Sequence, residues 1–386
     1  MREMARISTT DSIAQVDESR IQRLTVGRSF YVSQPWLLSV ERLRGDQVRY
    51  LMSEDDDGSL LGLLPVYDQK PVARGGPYDV HRRFLGASGG LFRDEDWSPA
   101  LVLGQNSAFS AEFLLANDLP ADAEKNVLLE LLGGAESVRR ETASPSVAAL
   151  YLNENGSRQL AGLDRYEPSI LCGVDCEIAV AWNSWDDYLR HLGKRATVVR
   201  RERSTFEAAG YTVTVEPLSG CLDASLVLFS NLQRKYGDSS PIEARARYLQ
   251  ILVDEVDSYS RLFVMRRGEV VLGVCLAFEW EKALYIRQFG LDYDAAVNAF
   301  EYFNVTIYEP VRYAVEHGLD RIHFGRSTYT GRMLRGAAAR PLAGVSVSAV
   351  AGVPGDDQSF RQWNAGRLRA VRSGSHAQIT ETFRGE

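Results

Sequence analysis

The residues of this chain that can do chemistry are mostly cations, and they cluster. From Arg321 to Glu386 there are ten arginines, no lysine and four acidic residues (Asp356, Asp357, Glu381, Glu386), a local excess of six positive charges on a chain of formal net charge −7. Such a stretch on an acidic protein suits a partner that carries phosphate. Upstream, Arg190, Lys194 and Arg201 fall together at 100° per residue. They lie opposite an apolar face of Trp185, Tyr188, Leu189, Leu192, Ala196, Val199 and Phe206. Arg203 projects onto the apolar side, where a buried ion pair is its simplest account. Other chemistries lack their residues. Of the four cysteines, Cys172 and Cys176 have metal-like spacing but no second ligand pair nearby, so no metal is expected and free thiols are. No catalytic triad announces itself.

The elements that must position these groups can be read in outline. At 386 residues with 45% hydrophobic and 25% charged content, the chain is globular and long enough for two domains. A pI of about 5.5 argues against a dedicated DNA binder. No run of 18 apolar residues exists to span a membrane, and the polar start Met1–Arg6 leads into no secretory h-region, so a cytoplasmic location is expected. Gln47–Ser53 and Ser59–Tyr67 read as a hairpin, and 68–110 reads as long loops of the kind that carry binding functions. A helix is expected over 121–133, and strands over Ser146–Leu152 and near Glu177–Ala181. The second half is clearer. One helix over Trp185–Ala209 ends at Gly210, then follow strand Tyr211–Glu216, helix Asp223–Tyr236 and a meander of Arg261–Arg266, Glu269–Glu279 and Ala283–Phe289. A long helix over Ala295–His317 is expected to kink at Pro310, and Arg321–Gly325 closes the series as a strand.

A family pattern sits on these elements. Trp185-x2-Tyr188-Leu189-x2-Leu192-x-Lys194-Arg195, with Arg200-Arg201-Glu202 and Ala208-Ala209-Gly210, resembles the entry to the second domain of Fem-like acyltransferases. Gly268–Gly273 resembles a GNAT strand pair. Gly290-Leu291-Asp292-Tyr293, Tyr302-Phe303-Asn304, Tyr308-Glu309-Pro310 and Ala314-x2-His317-Gly318-Leu319 resemble peptidoglycan-biosynthesis-like GNAT proteins, as does Gly325-Arg326-Ser327 through Arg332-x2-Arg335-Gly336. The match covers about 185–345 and extends loosely over 28–180. The resemblance implies an α+β fold of two GNAT-like domains side by side, the first degenerate, each a mixed, mostly antiparallel sheet flanked by helices. The expected division is a flexible 1–20, an N-terminal domain over 21–180, a C-terminal domain with the acyl-transfer cleft over 181–350, and a basic extension over 351–386.

What the resemblance implies for chemistry is spare. An amine attacks an ester or thioester carbonyl, and the protein positions the two and holds an oxyanion. The family's lysine is replaced here by Arg332, which can serve the oxyanion with a fixed fork. Tyr329 is placed to protonate the leaving group and Asp292 to act as base or amine anchor. Arg326, Ser327, Tyr293, Arg287, Lys194, Arg201 and Arg335 are the expected substrate and donor contacts. His323 reads as a satisfied core histidine. No cofactor is expected to be bound permanently. The donor is aminoacyl-tRNA or acyl-CoA. Asp292 stands where CoA-using relatives carry a small residue, and its charge disfavours a pyrophosphate. The implied function is transfer of an aminoacyl group from charged tRNA to the amine of a small molecule or cell-wall precursor, as in antibiotic biosynthesis. The alternatives are an acyl-CoA N-acetyltransferase and a non-catalytic binding protein.

Overall fold

The computed structural model describes residues 6–70, 76–85, 87, 93–163, 169–237, 240–326, 329–349 and 357–373. Two compact units divide the chain, one of Met1–Val174 with a segment returning from Arg340, the other of Asp175–Ala339.

The first unit opens with β1 (Arg6–Thr10), α1 (Glu18–Thr25) and α2 (Gln34–Arg44), the last capped by Ser33 with Pro35 in its first turn. The expected hairpin is β2 (Val48–Glu54) and β3 (Leu60–Asp68). The region expected to be all loop contains α3 (Val80–Leu85), α4 (Asp94–Trp97) and β4 (Ala100–Leu103), a fully buried strand. Four residues are too few for periodicity to show. Then come β5 (Leu114–Leu115), α5 (Ala121–Glu141), β6 (Ser146–Leu152), α6 (Glu154–Ala161) and β7 (Ser169–Ala179). β2, β3 and β4 are antiparallel neighbours, and β6 joins β4 in parallel after the long α5. Leu64, Leu101, Leu131 and Val147 belong to the core between this sheet and its helices.

The second unit begins within β7, at Asp175. α7 (Trp185–Leu192) and α8 (Ala196–Ala208) replace the single helix expected there. Gly193 breaks it at φ 57°, a left-handed conformation that glycine adopts at little cost. The apolar period runs through the break, which is why the sequence hid it. β8 (Tyr211–Glu216), α9 (Leu222–Lys235), α10 (Ile242–Val256), β9 (Ser260–Arg267), β10 (Val270–Trp280) and β11 (Ala283–Leu291) follow. The second long helix is also broken. Residues 292–300 form turns, with Phe300 at φ 62°, and α11 (Glu301–Phe303) passes through a π-helical turn at Asn304–Tyr308 into α12 (Glu309–Glu316). Pro310 lies directly after the π-helical turn, in the first turn of α12. β12 (Arg321–Gly325) and α13 (Tyr329–Met333) complete the unit.

β8 through β11 form an antiparallel series, and β12 joins β11 in parallel after the helical segment. This repeats the arrangement of β2, β3 and β4, then α5, then β6. The core of the second unit includes Phe206, Phe263, Leu284, Ile286, Val305 and Phe324. α9 lies hard against β11 at Gly290, where an added Cβ would stand 2.6 Å from the Leu228 carbonyl carbon and 2.8 Å from the Phe229 nitrogen. Both are backbone atoms and cannot swing aside. Gly290→Ala should therefore cost about 1–3 kcal/mol in denaturant unfolding, and an unchanged midpoint would mean that α9 moves freely.

β13 (Ala338–Ala349) and α14 (Asp357–Ser373) carry the chain back into the first unit, where β13 pairs antiparallel with β6. Much of the expected basic extension is thus a packed helix. Asn364 accepts from the Leu171 N–H at 2.6 Å and donates to the Ser169 carbonyl at 2.9 Å, and Phe360 is buried.

Candidate acyl-transfer site

The site is built where two parallel strands part. β11 and β12 pair only across Ala283–Arg321, Leu284–Ile322 and Tyr285–His323. Beyond that rung β11 runs on to Leu291, with Arg287 as the extra residue of a bulge against β10. The chain leaves β12 at Gly325 and re-enters helical structure as α13.

Arg332 projects from α13 into the unit and is 6% exposed. One Nη donates to the Gly325 carbonyl at 3.1 Å, the other to the Tyr302 hydroxyl at 3.4 Å, and Nε has no partner. Its guanidinium carbon lies 5.6 Å from the centre of the Phe324 ring. Among the described residues no carboxylate lies within ion-pair distance of it. The nearby Cys176 and Cys275 thiols do not compensate. Burial pushes both up to about 12 despite the opposing pull of Arg332, so they are neutral at physiological pH and poor nucleophiles. A buried cation without a counter-charge is costly. What would relieve it is an anion, including one that forms transiently.

The other expected site residues divide. Tyr329 opens α13, half-buried against the same core, and Tyr302 places its hydroxyl on Arg332 while its ring meets Phe289 edge-on at 5.2 Å. Arg326 is half-buried next to Gly325. Ser327 lies outside the described residues. Arg335 is spent inside the unit rather than on a donor. Its guanidinium donates to both Glu202 oxygens at 2.6 and 2.7 Å, to the Tyr308 hydroxyl and to the Gly331 carbonyl, and stacks on Phe303. Asp292 is a turn residue, its carboxylate accepting the Asp294 and Ala295 N–H groups at 3.1 and 3.0 Å. Tyr293 has the Lys235 ammonium 3.8 Å from its ring centre, and Arg287 donates to Tyr248 at 3.2 Å. Lys194 and Arg201 are exposed, but the break at Gly193 removes the shared helical face, and Arg190 pairs with Asp187. Arg203 forms the expected ion pairs, with Glu207 and Glu309.

Three groups stand out that sequence reasoning passed over or set aside. His323, half-buried, stacks on Tyr285 at 4.7 Å and 8°. Its Nδ1 lies 3.5 Å from the carboxylates of both Asp175 and Glu177, on β7. Asp175 and Glu177 alternate with the wholly buried Cys176 and Ile178. Acids at successive positions on one face of a strand whose other face is apolar were the available signal. Among the described residues no group of three such side chains is placed to hold a metal ion.

The sequence model of the GNAT acetyltransferase domain matches residues 193–332, from the break before α8 to Arg332 itself. Residues 193–332 carry a GNAT acetyltransferase domain. Each unit is GNAT-like, a mixed sheet flanked by helices, and the matched domain holds Arg332 and its surroundings. Solved structures agree on the fold. FemX is 12% identical with a TM-score of 0.59, covering 88% of this chain and 97% of its own. A conserved protein of unknown function from Bacteroides thetaiotaomicron is 13% identical with a TM-score of 0.58, covering 89% and 100%. L-PGS from Bacillus licheniformis is 11% identical with a TM-score of 0.50, covering 87% and 91%. None of the curated proteins matches the sequence. No helix among the described residues is long and apolar enough to cross a membrane.

Proposed function

We propose that this GNAT protein is an aminoacyl transferase, taking its acyl group from the ester of a charged tRNA and passing it to the amine of a small molecule or cell-wall precursor. Arg332 holds the tetrahedral oxyanion, with Tyr302 behind it and Tyr329 supplying the leaving oxygen with a proton. The observation that carries the choice of donor is the loop after β11. In a CoA enzyme the amides of such a loop are needed for the pyrophosphate. Here they are already taken. Asp294 and Ala295 donate to the Asp292 carboxylate, Ala296 to the Asp292 carbonyl at 3.0 Å, and Val297 to Glu301 at 3.1 Å. The Asp292 carboxylate at the start of this loop would repel a diphosphate held by its amides. An ester donor places no such demand on this loop. The likeness in fold to FemX is consistent with this reading and adds no chemistry of its own.

The test is donor binding followed by turnover. Charged tRNA should be retained on filters with steep salt dependence, acetyl-CoA should leave the melting temperature unchanged, and ribonuclease should abolish turnover. A thermal shift with acetyl-CoA and no retention of charged tRNA would overturn the proposal in favour of an acyl-CoA enzyme.

A further inference from the structure

Arg332 is not alone in lacking a counter-charge. In the first unit, Arg44 closes α2 and is half-buried. Burial pulls its guanidinium below the ordinary range. Among the described residues no carboxylate lies within ion-pair distance of it. Glu41, three residues back on the same helix, has the spacing of an ion-pair partner. Its carboxylate is spent elsewhere, accepting from the Ile13 N–H at 2.8 Å and from the Tyr50 hydroxyl.

The company Arg44 does keep is neutral. The Asn106 side-chain oxygen, with its amide turned to accept, takes Nε–H at 3.3 Å and an Nη–H as well. The phenols of Tyr67 and Tyr78 lie near enough for their charges and that of Arg44 to be felt mutually. Tyr78 is occupied, donating to the Ala108 carbonyl at 2.7 Å and accepting the Ala108 N–H at 3.1 Å. Tyr67, on β3, is wholly buried, and its hydroxyl has no partner. Burial and the Tyr78 phenol hold Tyr67 protonated against the pull of Arg44, so it remains a donor. A desolvated cation and an orphaned donor thus occur together, and neither serves the fold. No nitrogen of Arg44 is both buried and unpartnered, so its spare donors open to solvent.

We infer that Arg44 and Tyr67 form a binding site in the first unit for the carboxylate of a small molecule, with Arg44 as counter-ion and Tyr67 as hydrogen-bond donor. The charge of the ligand follows from its surroundings. Arg44 supplies one positive charge, and Glu41 is close enough to act on the Tyr67 phenol. A dianion would be left half-neutralised, whereas a monoanion is matched. The two oxygens of a carboxylate also fit the planar fork of a guanidinium. The site goes beyond the acyl-transfer reading and does not depend on it. Both residues lie outside the matched stretch 193–332, and no bond is made or broken there.

The experiment is thermal unfolding of the whole chain near neutral pH, with sodium acetate, sodium phosphate and sodium chloride compared at equal ionic strength. Roughly 100 mM acetate should raise the melting temperature by about 2 °C or more over chloride, and phosphate should raise it less. Arg44→Met should lose most of the acetate shift. In chloride alone it should melt no lower than the wild type, because a charge that was costly to bury has gone. Tyr67→Phe should weaken acetate by about 5–10-fold in a titration. No acetate shift in the wild type, or the same shift in Arg44→Met, would overturn the inference. A phosphate shift that exceeds that of acetate and disappears in Arg44→Met would overturn the carboxylate assignment. Should Arg44→Met fail to fold, Tyr67→Phe removes only an unpartnered oxygen and decides alone, an unchanged acetate titration being the negative result.

Discussion

Replacing Arg332 with methionine should lower acyl transfer by about 10²–10³-fold and leave the protein at least as stable as before. The two halves of this result come from one fact. Arg332 is buried with a carbonyl, a phenol and a neutral thiol for company, and no carboxylate among the described residues. Desolvating a guanidinium without a counter-ion is a standing cost in the resting protein. Methionine keeps the length and the apolar contacts with Phe324 and gives up only the charge. A residue that served the fold would show the reverse, a drop in melting temperature that carries activity down with it. Arg332→Lys should fall between, retaining part of the turnover, because a point charge can reach the oxyanion without the planar fork. Turnover and thermal unfolding measured on the same preparations decide the matter. A fully inactive but folded lysine variant would sink the oxyanion role.

Three residues further along, the same kind of side chain should behave in the opposite way. Glu202→Ala is expected to destabilise the protein by about 3–5 kcal/mol, since it strands a buried Arg335. Glu202 is 4% exposed and Arg335 6%. Their bidentate contact is closed on one side by the Tyr308 hydroxyl, which donates to Glu202 and accepts from Arg335 at 2.6 Å, and on the other by the Phe303 ring, 3.3 Å from the guanidinium carbon. Burial and the neighbouring carboxylate hold the Tyr308 phenol protonated well above its ordinary range. The double variant Glu202→Leu with Arg335→Met should recover much of the lost stability, as apolar replacements of buried pairs often do. Denaturant unfolding of the two single variants and the double variant gives the coupling directly. Additive losses would show that the pair is not the unit we describe.

The contrast between these two arginines marks where sequence reading stops. Both lie in the same motif, three residues apart, and both are expected in the cleft, Arg332 at the oxyanion and Arg335 at the donor. What separates them is a glutamate 133 residues upstream of Arg335, a pairing that no local pattern encodes. The β9–β10–β11 meander was legible because strict alternation and the turns at Gly268 and Glu281 are local signals. The helices were less so. Gly193 and the turns at 292–300 interrupt apolar periods that continue in register beyond them, so period alone joined α7 to α8 and ran the later helix too far back. β4 is too short for its period to show, and α10 went unread although Gly237 and Pro241 precede it. At the site, Arg332 could be singled out by motif, whereas the acids beside His323 depend on β7 being placed against β12, which is a property of the topology.

The passage of the chain through its two units bears on how it is made. The first unit lacks its strand β13 and helix α14 until residues beyond Arg340 have been synthesised, and until then β6 presents an open edge. The described residues of the second unit run from Asp175 to Ala339 and are synthesised earlier. On the ribosome, then, the domain that emerges first finishes last. Its unpaired edge is a window for misassociation that closes only once β13 has been synthesised.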